Sequence, residues 1–534
     1  MSPGYALPLD SSADKKPDAG SPGIAPSWLD EGSILSEKHV VSIPQGQLRG
    51  KAVSSGILFA GVPYAGPPIG ELRFRAPSSP PRWDGIRDCL EPGPSAMQQL
   101  DAAEGLPHYA RSTVLGSPVS EDCLYMNVFT PAPDSALRPV MVWIHGGGLQ
   151  TGSGDSWPFF EGTFLPDEVV LVTINYRLNI FGFLYLDEDF PDAFGTGNLG
   201  HLDQIAALQW VKENISLFGG DPGKVTVFGE SAGGWSVSQL LAIPRARGLF
   251  TGAIVQSGGA DTTVPVAQAR ERTRLVLEAI GVRAGDWLGL SQVPADELLA
   301  QAIGKYPETD RGWGPFITTA GDSIVPRDSN AEIARGSARD VAVIVGSTHD
   351  EWSALRMAFP PAALPEPNYM SALSSLSISL DTLKAYYAER SESGQAAQAT
   401  FETDWLFEVP TANLADALLA GGSPVWRYRF DWPSPVQDGS LGAFHAIEVP
   451  FVFNSLDEPA MLGDTPPHSI AIKLHGAWVD FATKRKVLKF GDAEWAEYTS
   501  TGRHVMIINS HSEVVDDPDT RLLPVWKPAL THRL

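Results

Sequence analysis

Cysteine is almost absent from this chain: 534 residues hold two, Cys89 and Cys123. That excludes a disulfide framework and leaves one bridge at most. Such sparse use fits a reducing compartment, so a cytoplasmic location is expected. Basic side chains are also scarce. Lys and Arg number 39 against 63 Asp and Glu, a formal charge of −24. A surface of that sign repels a nucleic-acid backbone and an anionic membrane leaflet. Neutral or cationic small molecules are the partners it favours. No apolar run reaches the length of about 18 residues that a membrane-spanning helix needs. The opening residues, MSPGYALPLDSSADKKPDAG, lack the apolar stretch of a secretion signal.

What the chain does have is material for a large core, with 43% hydrophobic residues. Residues 1–38 are rich in Pro, Gly, Ser and charge and are expected to form a disordered arm. Beyond them the texture is that of one catalytic unit, 39–534. Val140–Ile144, Val169–Ile174, Lys224–Phe228, Ala253–Gln256 and Asp340–Val345 are continuous β-branched runs, as suits strands buried on both faces. Between them Gly200–Leu217 and Ala232–Ile243 carry apolar residues close to a helical period. Alternation of this kind predicts an α/β fold with a mostly parallel central sheet flanked by helices. Stretches around 264–335 and 357–419 are predicted as large helical insertions.

Gly229-Glu230-Ser231-Ala232-Gly233 fits G-x-S-x-G, between a predicted strand and a predicted helix. Small neighbours permit a tight turn that projects the serine hydroxyl above the sheet as a nucleophile. Upstream, His145-Gly146-Gly147-Gly148 follows a strand directly. Glycines there let backbone N–H groups approach a developing oxyanion, with Ala232 after the serine as the complementary donor. A base and an orienting acid must follow in the order serine, acid, histidine. Asp350 and Glu351 both fit chemically as the acid. His349, His445, His468, His475, His504, His511 and His532 all lie downstream, and His445 in a turn-like segment is modestly favoured. Three consecutive residues such as His349, Asp350 and Glu351 rarely converge on one metal ion, and neither metal nor organic cofactor is expected.

Longer stretches carry a resemblance. These are Phe59–Tyr64 with Leu72-Arg73-Phe74, Glu121–Asn127, Asn175–Leu178, Gly197-Asn198 through Asp203-Gln204, Phe218–Pro222 and Phe228–Gly234. The chain resembles the type-B carboxylesterases, the family that includes the cholinesterases, from about Val40 to Tyr498. The resemblance implies an α/β-hydrolase fold and a serine esterase acting on small-molecule esters. It implies Glu351 as the triad acid and His445, in His445-Ala446-Ile447-Glu448, as the base. It also implies a buried supporting serine at Ser257 and a pocket-facing Glu230. Amide or carbamate hydrolysis on the same triad is an alternative, and a non-catalytic binding module is a remoter one. Three departures stand out. Ala96 occupies the position of the cysteine that would pair with Cys123, so Cys123 is expected to be free. Ala446 replaces a customary glycine. The segment after Ser257-Gly258 lacks a pocket-walling tryptophan, which implies more room for the acyl group. Monomer and dimer are both compatible with this reading.

Overall fold

The computed structural model describes residues 39–99, 117–161, 163–186, 190, 194–301, 314–358, 395–516, 518 and 526. The arm expected at 1–38 and residues 359–394 of the second helical insertion lie outside the described residues.

Eleven strands form the main sheet: β1 (Lys51–Val53), β2 (Gly56–Pro63), β3 (Tyr125–Thr130), β4 (Arg138–Ile144), β5 (Val170–Ile174), β6 (Gly220–Glu230), β7 (Gly252–Gln256), β8 (Ala342–Thr348), β9 (Val425–Phe430), β10 (His504–Ile508) and β11 (Glu513–Asp516). Their spatial order is β11-β10-β9-β8-β7-β6-β4-β5-β3-β2-β1. From β5 across to β10 every neighbour is parallel. The outer pairings, β10 with β11 and β5 through β3 and β2 to β1, are antiparallel. Val40–Ile43 pairs with Gly46–Arg49 in a separate three-stranded sheet.

The central strands are apolar throughout because both faces are covered. Val172, Val142, Val227, Ala253, Val343 and Val425 stand in register across six strands and belong to one core layer. Shifted by one residue, Trp143, Phe228, Ile254, Ile344 and Trp426 form a second row that enters the opposite layer. That is the two-residue alternation of a pleated sheet. Helices α1 (Leu199–Asn214), α2 (Ala232–Ala242), α3 (Val266–Ala279) and α4 (Val409–Gly421) contribute to the first layer. Helix α5 (His468–Lys484) contributes Leu474, Trp478 and Phe481 to the second.

The region 264–335 holds α3 and the short helices Trp287–Gln292, Ala295–Gln301 and Ser329–Ala334. From residue 395 the second insertion is one continuous helical run. It runs from Gln395–Thr403 through a single π turn, Asp404–Glu408, into α4. Because β4, β6, β7, β8 and β9 are parallel, their carboxyl ends share one edge of the sheet. The segments starting at His145, Ser231, Ser257 and His349 all leave from that edge, where ligands bind in open α/β sheets.

Candidate active site

Ser231 caps α2 at the end of β6 with φ 55° and ψ −123°, a conformation that L-residues rarely hold. Its N–H donates to Gln256 O at 3.0 Å, and its carbonyl accepts from Trp235 N–H at 2.9 Å. The neighbouring glycines are needed for close approach. A Cβ at Gly229 would come within 2.6 Å of Ile144 O, and one at Gly233 would overlap the same oxygen. Ser231 is nearly buried.

His145–Gly148 follows β4 beside this turn. Gly147 has φ 98° and Gly148 φ 64°, and a Cβ at Gly147 would overlap Thr151 O. The segment is held from several sides. Gln150 and Thr151 N–H groups donate to Gly147 O, and Asn179 N–H donates to Leu149 O at 2.7 Å. Gln98 clamps Gly152 through both N–H and C=O. Tyr176 OH donates to His145 O at 2.9 Å, and the two rings stack. Burial pushes the His145 imidazole down to about 4. Among the described residues, none accepts a hydrogen bond from the N–H of Gly147, Gly148 or Ala232.

The structure separates the two adjacent acids. Glu351, fully buried, reaches His445 Nδ1 with Oε2 at 2.6 Å and accepts Thr348 N–H on Oε1 at 2.8 Å. Asp350 turns outward to His349 and Ala443 instead. The other candidate histidines stand elsewhere. His475 is buried on α5 against Asp167 and Val452 O, and His504 pairs with Asp516 near the sheet edge. His532 lies outside the described residues.

The second nitrogen of His445, Nε2, is 3.1 Å from Glu230 Oε1, without the alignment of a hydrogen bond. No hydrogen bond joins Ser231 Oγ to His445 in this arrangement. Glu448, also fully buried, accepts Gln256 Nε2–H at 3.1 Å, and Gln256 Oε1 accepts from the Trp478 indole at 3.2 Å. Three carboxyls and one imidazole therefore share one buried space. Burial alone would lower the His445 pKa, but Glu230, then Glu351 and Glu448, outweigh it and raise it well above 6.5. Burial raises Glu230 strongly, with repulsion from Glu448 and Glu351 adding and His445 opposing. Glu448 is raised by burial and by Glu351, and Gln256 partly offsets this. Ser257 also holds a positive φ, 51°, and is fully buried; its N–H donates to Gly346 O at 2.8 Å, while its Oγ meets no described partner.

Two contributions were not assigned from sequence. Glu448 was visible in the His445 segment, but its partner Gln256 is 192 residues away. Phe407, from the π turn, packs on the His445 ring at 4.8 Å between centroids. A π turn is a recurrent mark of functional sites, but nothing in the local sequence announces it. Both cysteines are buried and free, as expected for Cys123.

A parallel sheet with a strained serine between strand and helix, glycine N–H groups beside it and a Glu–His pair on the same edge defines an α/β hydrolase. The carboxylesterase family model matches residues 37–526. The para-nitrobenzyl esterase of Bacillus subtilis (strain 168) is 36% identical over 500 residues, covering 90% of this chain and 97% of the relative. Phenmedipham hydrolase of Pseudarthrobacter oxydans is 35% identical, covering 82% and 88%. Among solved structures, a Geobacillus stearothermophilus carboxylesterase superposes with a TM-score of 0.81 at 36% identity, covering 91% of this chain and all of the other. The chain belongs to the carboxylesterase family. Among the described residues, no helix is long and apolar enough to cross a membrane.

Proposed function

We propose that this carboxylesterase cleaves small to medium carboxylic esters through an acyl-enzyme on Ser231, with His445 as general base and acid and Glu351 as its orienting partner. The observation that carries the reading is the 2.6 Å contact between Glu351 and His445 Nδ1, with the other ring nitrogen beside Glu230, the residue before Ser231. A hydrogen at Nδ1 leaves Nε2 to accept a proton. As Ser231 Oγ bonds to the ester carbonyl carbon, its proton passes to Nε2. The N–H groups of Gly147, Gly148 and Ala232 hold the carbonyl oxygen as it gains charge; each such donor is worth about 3 kcal/mol. The C–O bond to the alcohol then breaks, and His445 returns the proton to the leaving oxygen. Water repeats the sequence and releases the carboxylic acid.

The missing tryptophan after Gly258 supports acceptance of longer acyl groups. The same reading takes 39–534 as one catalytic unit, working as a monomer or dimer; the two free thiols suit the cytoplasm. The test is hydrolysis of p-nitrophenyl esters of rising acyl length by wild type and Ser231→Ala. Wild-type turnover that falls about 10⁴-fold or more in the variant supports the nucleophile. Equal activity of the two refutes it. Absence of ester turnover with turnover of amides or carbamates would move the reading to that substrate class.

A further inference from the structure

Glu351 and His445 sit on separate segments, one leaving β8 and the other leaving β9. Their contact is only as well made as the register between those segments. Asp350 laces them together. Its N–H donates to Ala443 O at 2.9 Å, and its Oδ2 accepts Ala443 N–H at 2.9 Å. Ser353 extends the seam: its N–H donates to Asp350 O at 3.0 Å, and its hydroxyl donates to Leu441 O. Gly442 has φ 61°, and a Cβ there would overlap the Asp350 carboxylate. The backbone at 442 is bent to admit that carboxylate. Oδ1 points the other way, 3.0 Å from His349 Nδ1 and partly exposed.

We propose that Asp350 is a positioning residue for ester cleavage: its carboxylate clamps the 441–443 turn to the acid segment and so sets His445, two residues on, against Glu351. The inference rests on the triad reading given above. The clamp matters because His445 has a competing neighbour, Glu230 at 3.1 Å from Nε2. A loosened turn lets the imidazole settle toward that carboxylate and away from the serine hydroxyl. Displacement of a catalytic group by about 1 Å costs up to about 100-fold in rate.

The experiment compares Asp350→Ala, Asp350→Asn, His349→Ala and Glu351→Gln with wild type. It measures kcat and KM on a p-nitrophenyl ester per active site counted by end-point fluorophosphonate labelling, together with thermal unfolding. Asp350→Ala is expected to lose about 10- to 100-fold in kcat per site, with KM changed less than about threefold. Asp350→Asn keeps an oxygen that accepts Ala443 N–H and is expected to recover kcat to within about fivefold of wild type. His349→Ala is expected to stay within about twofold. A purely structural role lowers the melting temperature and the count of active sites but leaves kcat per site intact, and that result overturns the proposal. So does an Asp350→Asn variant as slow as Asp350→Ala. If Asp350→Ala does not fold, Asp350→Glu moves the acceptor by one methylene; kcat per site within about twofold of wild type would overturn the clamp. Wild-type kcat in Glu351→Gln would instead sink the triad reading itself.

Discussion

Replacing Glu230 by Gln should move the pH dependence of catalysis toward acid. As the proposed base, His445 accepts a proton only when neutral, so kcat/KM should rise as pH passes through its titration. The surrounding carboxylates raise that titration above 6.5. At 3.1 Å and an effective dielectric of about 20, the Glu230–His445 attraction is about 5 kcal/mol, equivalent to about 4 pH units. That is a ceiling. Burial and the repulsion of Glu448 and Glu351 keep Glu230 itself protonated over part of the range, so only part of the attraction is realised. A shift of the rising limb by about 1 to 2 units to lower pH is expected. The assay is kcat/KM on a neutral p-nitrophenyl ester from about pH 5 to about pH 10 at constant ionic strength. A limb that stays in place, or moves to higher pH, refutes the electrostatic account of the site. Repeating the series with a cationic ester separates an effect on the base from one on the substrate. An equal loss for both esters removes any role of Glu230 in attracting cationic substrates.

Three other outcomes follow from the same geometry. The folded value of Glu448 lies above its ordinary 4.5, so the folded state holds this proton more tightly and the stability it contributes falls as pH rises from 4.5 through the raised value. Glu448→Gln should flatten that decline and leave the variant more stable at about pH 8 by about 1 to 3 kcal/mol; equal slopes of melting temperature against pH would reject the idea. Gly147→Ala puts a side chain where φ is 98° and Thr151 O already stands, and should cut kcat by about 10²- to 10³-fold while fluorophosphonate still labels slowly. Asp203 meets Arg177 with two side-chain contacts of 2.6 and 2.8 Å, both residues being buried. Asp203→Ala should cost about 3 to 5 kcal/mol in urea unfolding, and a cost under about 1 would mean the charge is not buried in solution.

Local chemistry was legible where it is local. The Ser231 turn and the His145–Gly148 segment each combine a strand end with small residues, and both occupy the expected edge. The parallel strands were readable because a strand covered on both faces has no polar alternation to hide it. The choice between Asp350 and Glu351 was not local. Both fit the chemistry, the family resemblance implied Glu351, and the fold turns that one inward toward a residue 94 positions later. The same holds for His445 among seven histidines, where the family resemblance supplied what spacing could not. Glu448, Gln256 and Trp478 form a chain across three segments whose members are joined only by folding. The π turn that brings Phe407 onto His445 depends on how that helical run packs against β8, which no helical period encodes.

The dispersal of the site along the chain has a kinetic consequence. Ser231 and its glycine partners lie in the first half, just past the ends of β4 and β6, whereas Glu351 and His445 are separated from each other by 94 residues and come later. Closing such long loops is slow compared with forming helices and neighbouring strands. During refolding, ellipticity should return before esterase activity, and the lag should report the docking of β9 and the 431–445 segment. If Ser231 and His445 act as proposed, the nucleophile leaves the ribosome well ahead of its base, so a nascent chain should stay hydrolytically silent until His445 has been made. On this mechanism activity is a late marker of folding, and a stalled or truncated product ending before His445 should turn over no ester.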